Sequence, residues 1–163
     1  MKNIKLIPLY LLVVGFAGCS GGSSKPSEAV VVDIVEAVPS ELSLYDRLGG
    51  ADGISVLVDD IISTHLENPV VSPQFDYLND NPEQLELLKK HTREFLGAGT
   101  GGPEQYTGGD VPSVHAGMNI SNAEFLGAID DILLVLNRHE ASEQTKKDML
   151  YILYSFKDQV IGK

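Results

Sequence analysis

The sequence predicts an all-α domain. Apolar residues recur every three to four positions in four separate stretches, as one buried helix face requires. Capping residues and a proline stand at the starts of those stretches, and glycine or proline stands at most of their ends. Beyond residue 42 no run of alternating apolar and polar residues marks a strand, and no internal repeat is visible. With 163 residues the chain has length for one ordinary domain.

In chain order, the first element is a leader. Lys2 and Lys5 precede an apolar run from Leu6 to Phe16, 11 residues long. A bilayer core needs about 20 helical residues, so this run fits the hydrophobic part of an export signal. It ends in Phe16-Ala17-Gly18-Cys19, which resembles the cleavage site of a bacterial lipoprotein signal. That resemblance implies removal of residues 1–18, lipidation of Cys19 and anchoring at a membrane on the exported side. Each buried acyl CH₂ would contribute ~0.8 kcal/mol, so two or more chains hold stably. Residues 19–42 then serve as the lipidated cysteine and a Gly/Ser-rich tether. Val30–Val38 reads either as a short strand or as part of that spacer.

The folded domain is expected over residues 43–163. Ser43 and Asp46 have capping-box spacing for a short first helix, closed by Gly49-Gly50. Ile54, Leu57, Val58, Ile61 and Ile62 make the inward stripe of a second helix, which Asn68-Pro69 stops. A short apolar element lies around Val70 to Leu78. Asn81-Pro82-Glu83-Gln84 opens the next helix, whose inward stripe is Leu85, Leu88, Thr92, Phe95 and Leu96. A loop with six glycines is expected over residues 97–110. A loop this long in a compact domain commonly serves function. Residues 111–118, "VPSVHAGM", have room for one helical turn. Ser121 and Glu124 form a second capping box, followed by Phe125, Ile129, Ile132, Leu133 and Leu136. Ser142 opens the last helix, with Met149, Ile152, Leu153, Phe156 and Val160 inward. Four substantial helices of this kind make a small bundle.

Composition prunes the functions. There are 23 acidic against 12 basic side chains, for a net charge of −11. A nucleic-acid groove needs the opposite balance. The single cysteine excludes an intramolecular disulfide, a Cys-X-X-Cys metal site and the Cys-X-X-Cys-His haem attachment. There is no His-Glu-X-X-His pattern, no phosphate-binding Gly-X-X-X-X-Gly-Lys and no Gly-X-Ser-X-Gly elbow.

Four histidines remain. His139 ends a helix, where the macrodipole favours a cation. His65 borders an apolar stripe and is expected to reach solvent. His91 shares the inward side of Leu88 and Phe95, and His115 lies in the short segment beyond the glycine loop. Burying an imidazole without a partner is costly, so two such residues point to a metal or cofactor. Two histidines are too few for structural zinc, which takes four ligands. They suffice for haem, whose porphyrin supplies four nitrogens.

At these residues the sequence resembles the group I truncated haemoglobins, which have the two-over-two globin fold. "LYDRLGGADGISVLVDDI", "SPQF", "HTREFLGAGTGGPEQYTG" and "DVPSVHAGMNISNAEF" occur in the family's order and span residues 44–125. The resemblance implies haem b and a proximal iron ligand at His115, whose second ring nitrogen should donate to a backbone carbonyl one turn earlier. It places Phe75 against the haem face and Leu88, Thr92, Phe95 and Tyr106 around the pocket. It also implies oxygen, nitric oxide or carbon monoxide as ligand.

The distal side departs from the family's common pattern. The tyrosine that donates to bound oxygen is replaced by Ile62, leaving Thr92 as the best remaining hydroxyl. His91 falls where some members carry a histidine that binds iron when no gas is present, which gives a six-coordinate alternative through His91 and His115. Such a form favours redox, nitric-oxide or sensing roles. The reading inclines to a binder; an enzyme would dioxygenate nitric oxide and need an external reductase. A haem-free interaction or sensor module on the same scaffold is the alternative of a different class.

Overall fold

The computed structural model describes residues 42–163, which are helical with no strand. The expected leader, Cys19 and tether lie outside the described residues. Three short helices and a 3-10 segment connect or flank four longer helices. They are α1 (Leu44–Arg47), α2 (Gly50–Glu67), the 3-10 segment Ser72–Leu78, α3 (Pro82–Gly99), α4 (Val111–His115), α5 (Asn122–Arg138), α6 (Glu143–Ser155) and α7 (Lys157–Val160). α2 packs on α3 and α5 packs on α6, and the two pairs meet chiefly through α2 and α5.

The helix starts form as the side chains dictate. Ser43, Asn81, Ser121 and Ser142 each accept from the backbone N–H three residues on, satisfying a donor the helix leaves free. Ser121 and Glu124 complete the reciprocal box.

The main core gathers Ile54, Leu57, Val58, Ile61 and Ile62 of α2, Leu96 of α3, Val135 and Leu136 of α5 and Met149 of α6. A second cluster joins Ile120, Phe125, Ile129 and Val160, with Val111, Met118 and Phe156 packed against it. This second cluster carries α4, which also packs on α7. So the histidine-bearing turn is held by side-chain burial, since five residues cannot sustain a helix alone.

Two boundaries differ from expectation. α3 runs on through Gly97 to Gly99, so the loop starts at Thr100. The reason is packing. A Cβ at Gly97 would lie 2.5 Å from Glu104 Oε2, and one at Gly102 would lie 2.3 Å from the same oxygen. The glycines let the Glu104 carboxylate lie against the helix end, with Tyr45 Oη donating to its Oε1 at 2.6 Å. The last helix is not continuous. It breaks at Phe156, whose ring sits 5.4 Å from that of Phe95.

Candidate haem site

His115 ends α4. Asp110 caps the helix by accepting from Ser113 N–H at 2.8 Å, and Ser113, through its side chain first and then its backbone N–H, holds the Asp110 carboxyl below its usual range. Gly117 follows with φ of +85°, a conformation other residues adopt at a cost. The half-buried His115 ring places Nδ1 2.7 Å from the carbonyl oxygen of Val111. A carbonyl only accepts, so Nδ1 carries the proton and donates. In the neutral form of the ring Nε2 is then the lone-pair nitrogen.

α3 brings two ring side chains to the loop that precedes α4. His91 and Phe95 both meet the Tyr106 ring edge-on, at 6.1 and 5.3 Å between centroids. Phe95, Tyr106 and Phe156 border a cleft of about 480 Å³ with Leu96, Thr100 and Ile152. Burial raises the Tyr106 phenol pKa, and its hydroxyl donates to the Gly109 carbonyl at 2.7 Å. The loop bearing Tyr106 is stapled to α3 by Glu94, which accepts from Thr107 N–H at 3.0 Å and Thr107 Oγ1 at 2.7 Å. Lys90 and then Thr107 hold the Glu94 carboxyl down to about 2.

The other predicted residues fall into place unevenly. Leu88 packs against the main core, to which Ile62, 4 % exposed, belongs. Thr92 is half-buried, and its Oγ1 donates to the Leu88 carbonyl at 2.8 Å, so its only proton is already engaged. Phe75 lies in the 3-10 segment and is half-buried. Among the described residues neither ring nitrogen of His91 hydrogen-bonds to protein.

His65 is a correction. It is 7 % exposed and does not reach out to solvent as expected. Its Nδ1 lies 2.9 Å from Asp131 Oδ2, and Asn68 Nδ2 donates to Asp131 Oδ1 at 2.9 Å. Its ring stacks on Phe75 at 5.8 Å with 12° between planes. Burial depresses the imidazole pKa, more than the bond to Asp131 restores it. The signal was present in the sequence. Asp131 lies four residues before the buried Val135, as His65 lies four after Ile61. An acid and a base on neighbouring inward faces call for pairing. His139, at the C-cap of α5, also reaches Asp60 Oδ2 at 2.6 Å.

Among the described residues no group of three His, Cys, Asp or Glu side chains could hold a bare metal ion. Haem does not need one. It needs an apolar, partly aromatic enclosure and an imidazole nitrogen free to bind iron. His115 offers such a nitrogen, and Phe95, Tyr106 and Phe156 border an aromatic cleft whose lining includes neither His115 nor His91.

An all-helical domain with two helix pairs and an imidazole so prepared defines a globin of the two-over-two class. The family described as bacterial-like globin matches residues 43–161, and the chain belongs to it. A group 1 truncated haemoglobin of Mycolicibacterium paratuberculosis is 35 % identical over 83 residues, covering 51 % of this chain and 57 % of that one. One of Tetrahymena thermophila is 24 % identical over 121 residues, covering 74 % and 96 %. The Fe(III) truncated haemoglobin of Tetrahymena pyriformis superposes with a TM-score of 0.68 at 20 % identity, over 75 % of this chain and all of that one. The Synechococcus 2/2 haemoglobin, solved in the cyanomet state with covalently attached haem, gives 0.64 at 20 %, over 74 % and 98 %. Haem is the cofactor expected of the family.

Proposed function

We propose that the domain binds a diatomic gas at haem b, with His115 as the proximal iron ligand. The observation that carries this is the Val111 carbonyl bond to His115 Nδ1, which fixes the tautomer and leaves Nε2 for iron. Leu88, Phe95, Tyr106 and Phe75 would enclose the ring, and the iron would supply the gas-binding position. The test is a visible spectrum of the haem-reconstituted full-length chain. A Soret band that is lost in His115→Ala supports the assignment; a wild type without the band overturns it and favours the haem-free module.

His91 supports a six-coordinate form, because its half-buried ring has no protein partner for either nitrogen. Gas binding would then compete with an internal ligand. That suits a redox, sensing or nitric-oxide role, with an external reductase if nitric oxide is turned over to nitrate. A ferrous spectrum that is six-coordinate in wild type and five-coordinate in His91→Leu is the expected result. Identical five-coordinate spectra overturn it.

We infer further that the chain is exported and tethered through Cys19. The basic start, the short apolar run and the sole cysteine at its end support this reading. No described helix is long and apolar enough to cross a membrane. Labelling with a fatty-acid analogue, abolished by Cys19→Ala, is the test; an unlabelled wild type refutes it.

A further inference from the structure

The buried His65–Asp131 pair has no part in the site as described so far. It joins α2 to α5 in the interior, yet the side chain it touches next is Phe75, on the 3-10 segment. Three further contacts converge there. Asn68, which donates to Asp131, also accepts from Val70 N–H at 3.0 Å and so shapes the turn that leads into the segment. Gln74, adjacent to Phe75, donates to Glu124 Oε1 at 2.6 Å. Ser121 and then Gln74 hold the Glu124 carboxyl down to about 2, so it stays an acceptor at working pH. At Gly127 a Cβ would stand 3.1 Å from Val71 Cγ2, so the start of the segment already lies close on α5.

These contacts divide the work. Gln74–Glu124 and Asn68–Val70 both tether the chain ahead of Phe75. Neither contact is to the Phe75 ring. The only aromatic stack Phe75 makes among the described residues is with His65. The His65 ring is itself fixed, because a hydrogen bond from Nδ1 to a carboxylate held by Asn68 sets the plane of the imidazole. A neutral imidazole can donate from Nδ1 to the carboxylate, and burial favours that neutral form.

We propose that His65, oriented by Asp131, is a positioning residue whose ring is the platform that holds Phe75 in place as a wall of the haem pocket. The proposal rests on the haem reading for its consequence, but not for its geometry. An aliphatic side chain at 65 would fill the space without imposing a parallel ring, and a hydrogen-bonding one would satisfy Asp131 without offering a face to stack on.

Two variants of the full-length chain separate the ring from the hydrogen bond. His65→Gln keeps an amide donor for Asp131 and removes the ring. His65→Phe with Asp131→Leu keeps a ring and removes the polar pair. Ferric haem loss is followed by transfer to excess apomyoglobin, and urea unfolding of each variant controls for stability. His65→Gln is expected to lose haem about tenfold faster or more, with a greater effect on haem loss than its urea midpoint accounts for. The double variant is expected to stay within about threefold of wild type. Equal rates in His65→Gln and wild type overturn the proposal, as does a double variant that loses haem as fast as His65→Gln. A second readout needs no haem. In the haem-free chain, the Phe75 ring resonances are expected to be dispersed and slowly flipping in wild type and averaged in His65→Gln. If wild type shows no Soret band, the haem reading fails while the ring spectra still decide the positioning role; unchanged ring spectra refute it.

Discussion

Thr92 is the residue on which the distal chemistry can be weighed. Its hydroxyl has one proton, and that proton is on the Leu88 carbonyl at 2.8 Å. To support a ligand in the pocket it must first release that bond, which gives up about 1 kcal/mol. A hydrogen bond to a ligand oxygen carrying partial negative charge returns about 1.5–3 kcal/mol. The difference is about 1 kcal/mol, or about fivefold in ligand retention. A phenol introduced at position 62 has no such prior engagement and would deliver the whole of that bond, roughly tenfold to a hundredfold. Thr92→Val is therefore expected to speed oxygen dissociation by about fivefold or less, and Ile62→Tyr to slow it by at least about tenfold. Both are measured by stopped-flow displacement of oxygen with carbon monoxide. A Thr92→Val chain that releases oxygen more than about thirtyfold faster would refute the reasoning, since the hydroxyl would then be a dedicated donor.

Three further outcomes follow from the packing and the ionisable groups. Leu136→Ala, at 1 % exposure in the main core, should cost about 2–5 kcal/mol in urea unfolding, while Leu134→Ala, at 45 %, should stay within about 0.5 kcal/mol. Gly97→Ala should destabilise by about 1–3 kcal/mol, and a double-mutant cycle with Glu104→Ala should recover most of it, because the three atoms nearest the added Cβ all belong to Glu104. His65 has a pKa lowered from its ordinary 6.5, so the unfolded chain takes up a proton there that the folded chain refuses. Its contribution is fully present above about pH 6.5 and is lost as pH falls below it, until folded His65 is protonated too. The wild-type urea midpoint should accordingly drop more steeply than that of His65→Gln between pH 7 and 5; parallel curves would count against a depressed imidazole.

How much of this was legible in the sequence depended on the range of the interaction concerned. Helix starts were legible because a capping side chain acts on a backbone group three residues away, and Ser43, Asn81, Ser121 and Ser142 all do so. The single turn that carries His115 was legible, because Pro112 stands at its start and Gly117, at φ +85°, lies just past its end. The end of α3 was not. Glycine's low helix propensity argues for a stop at Gly97, but the approach of Glu104, seven residues on, makes glycine the residue that packs there. Nor was the break at Phe156, which has no glycine or proline to signal it and depends on a ring on another helix. For His65 the inward spacing, and that of Asp131, was readable, but which carboxylate it meets was not. Its partner lies 66 residues away.

The polar groups of α2 locate the difference between this domain and the family's common pattern. Where a phenol is common, Ile62 is committed to the main core at 4 % exposure, and Ile61 beside it at 3 %. Three residues on, nearly one turn along the same helix, His65 is also inward and carries the only polar ring that α2 buries. Its donor is spent on Asp131 and its face on Phe75. The helix thus contributes hydrogen bonding to the support of the pocket wall, and at position 62 it contributes none to the space where a gas would sit. The Thr92 proton is held by Leu88, and among the described residues His91 makes no hydrogen bond through either ring nitrogen; if His91 lines the pocket, as the resemblance implies, its nitrogens are the uncommitted ones there. A histidine can serve there as a donor to a gas or as a ligand in competition with it, but not as both at once. Ligand retention in this protein should therefore be governed by the state of His91 more than by any hydroxyl. The prediction is that His91→Leu changes the oxygen on-rate and off-rate by larger factors than Thr92→Val does, and the reverse order in the same stopped-flow experiment would show that the hydroxyl controls the pocket after all.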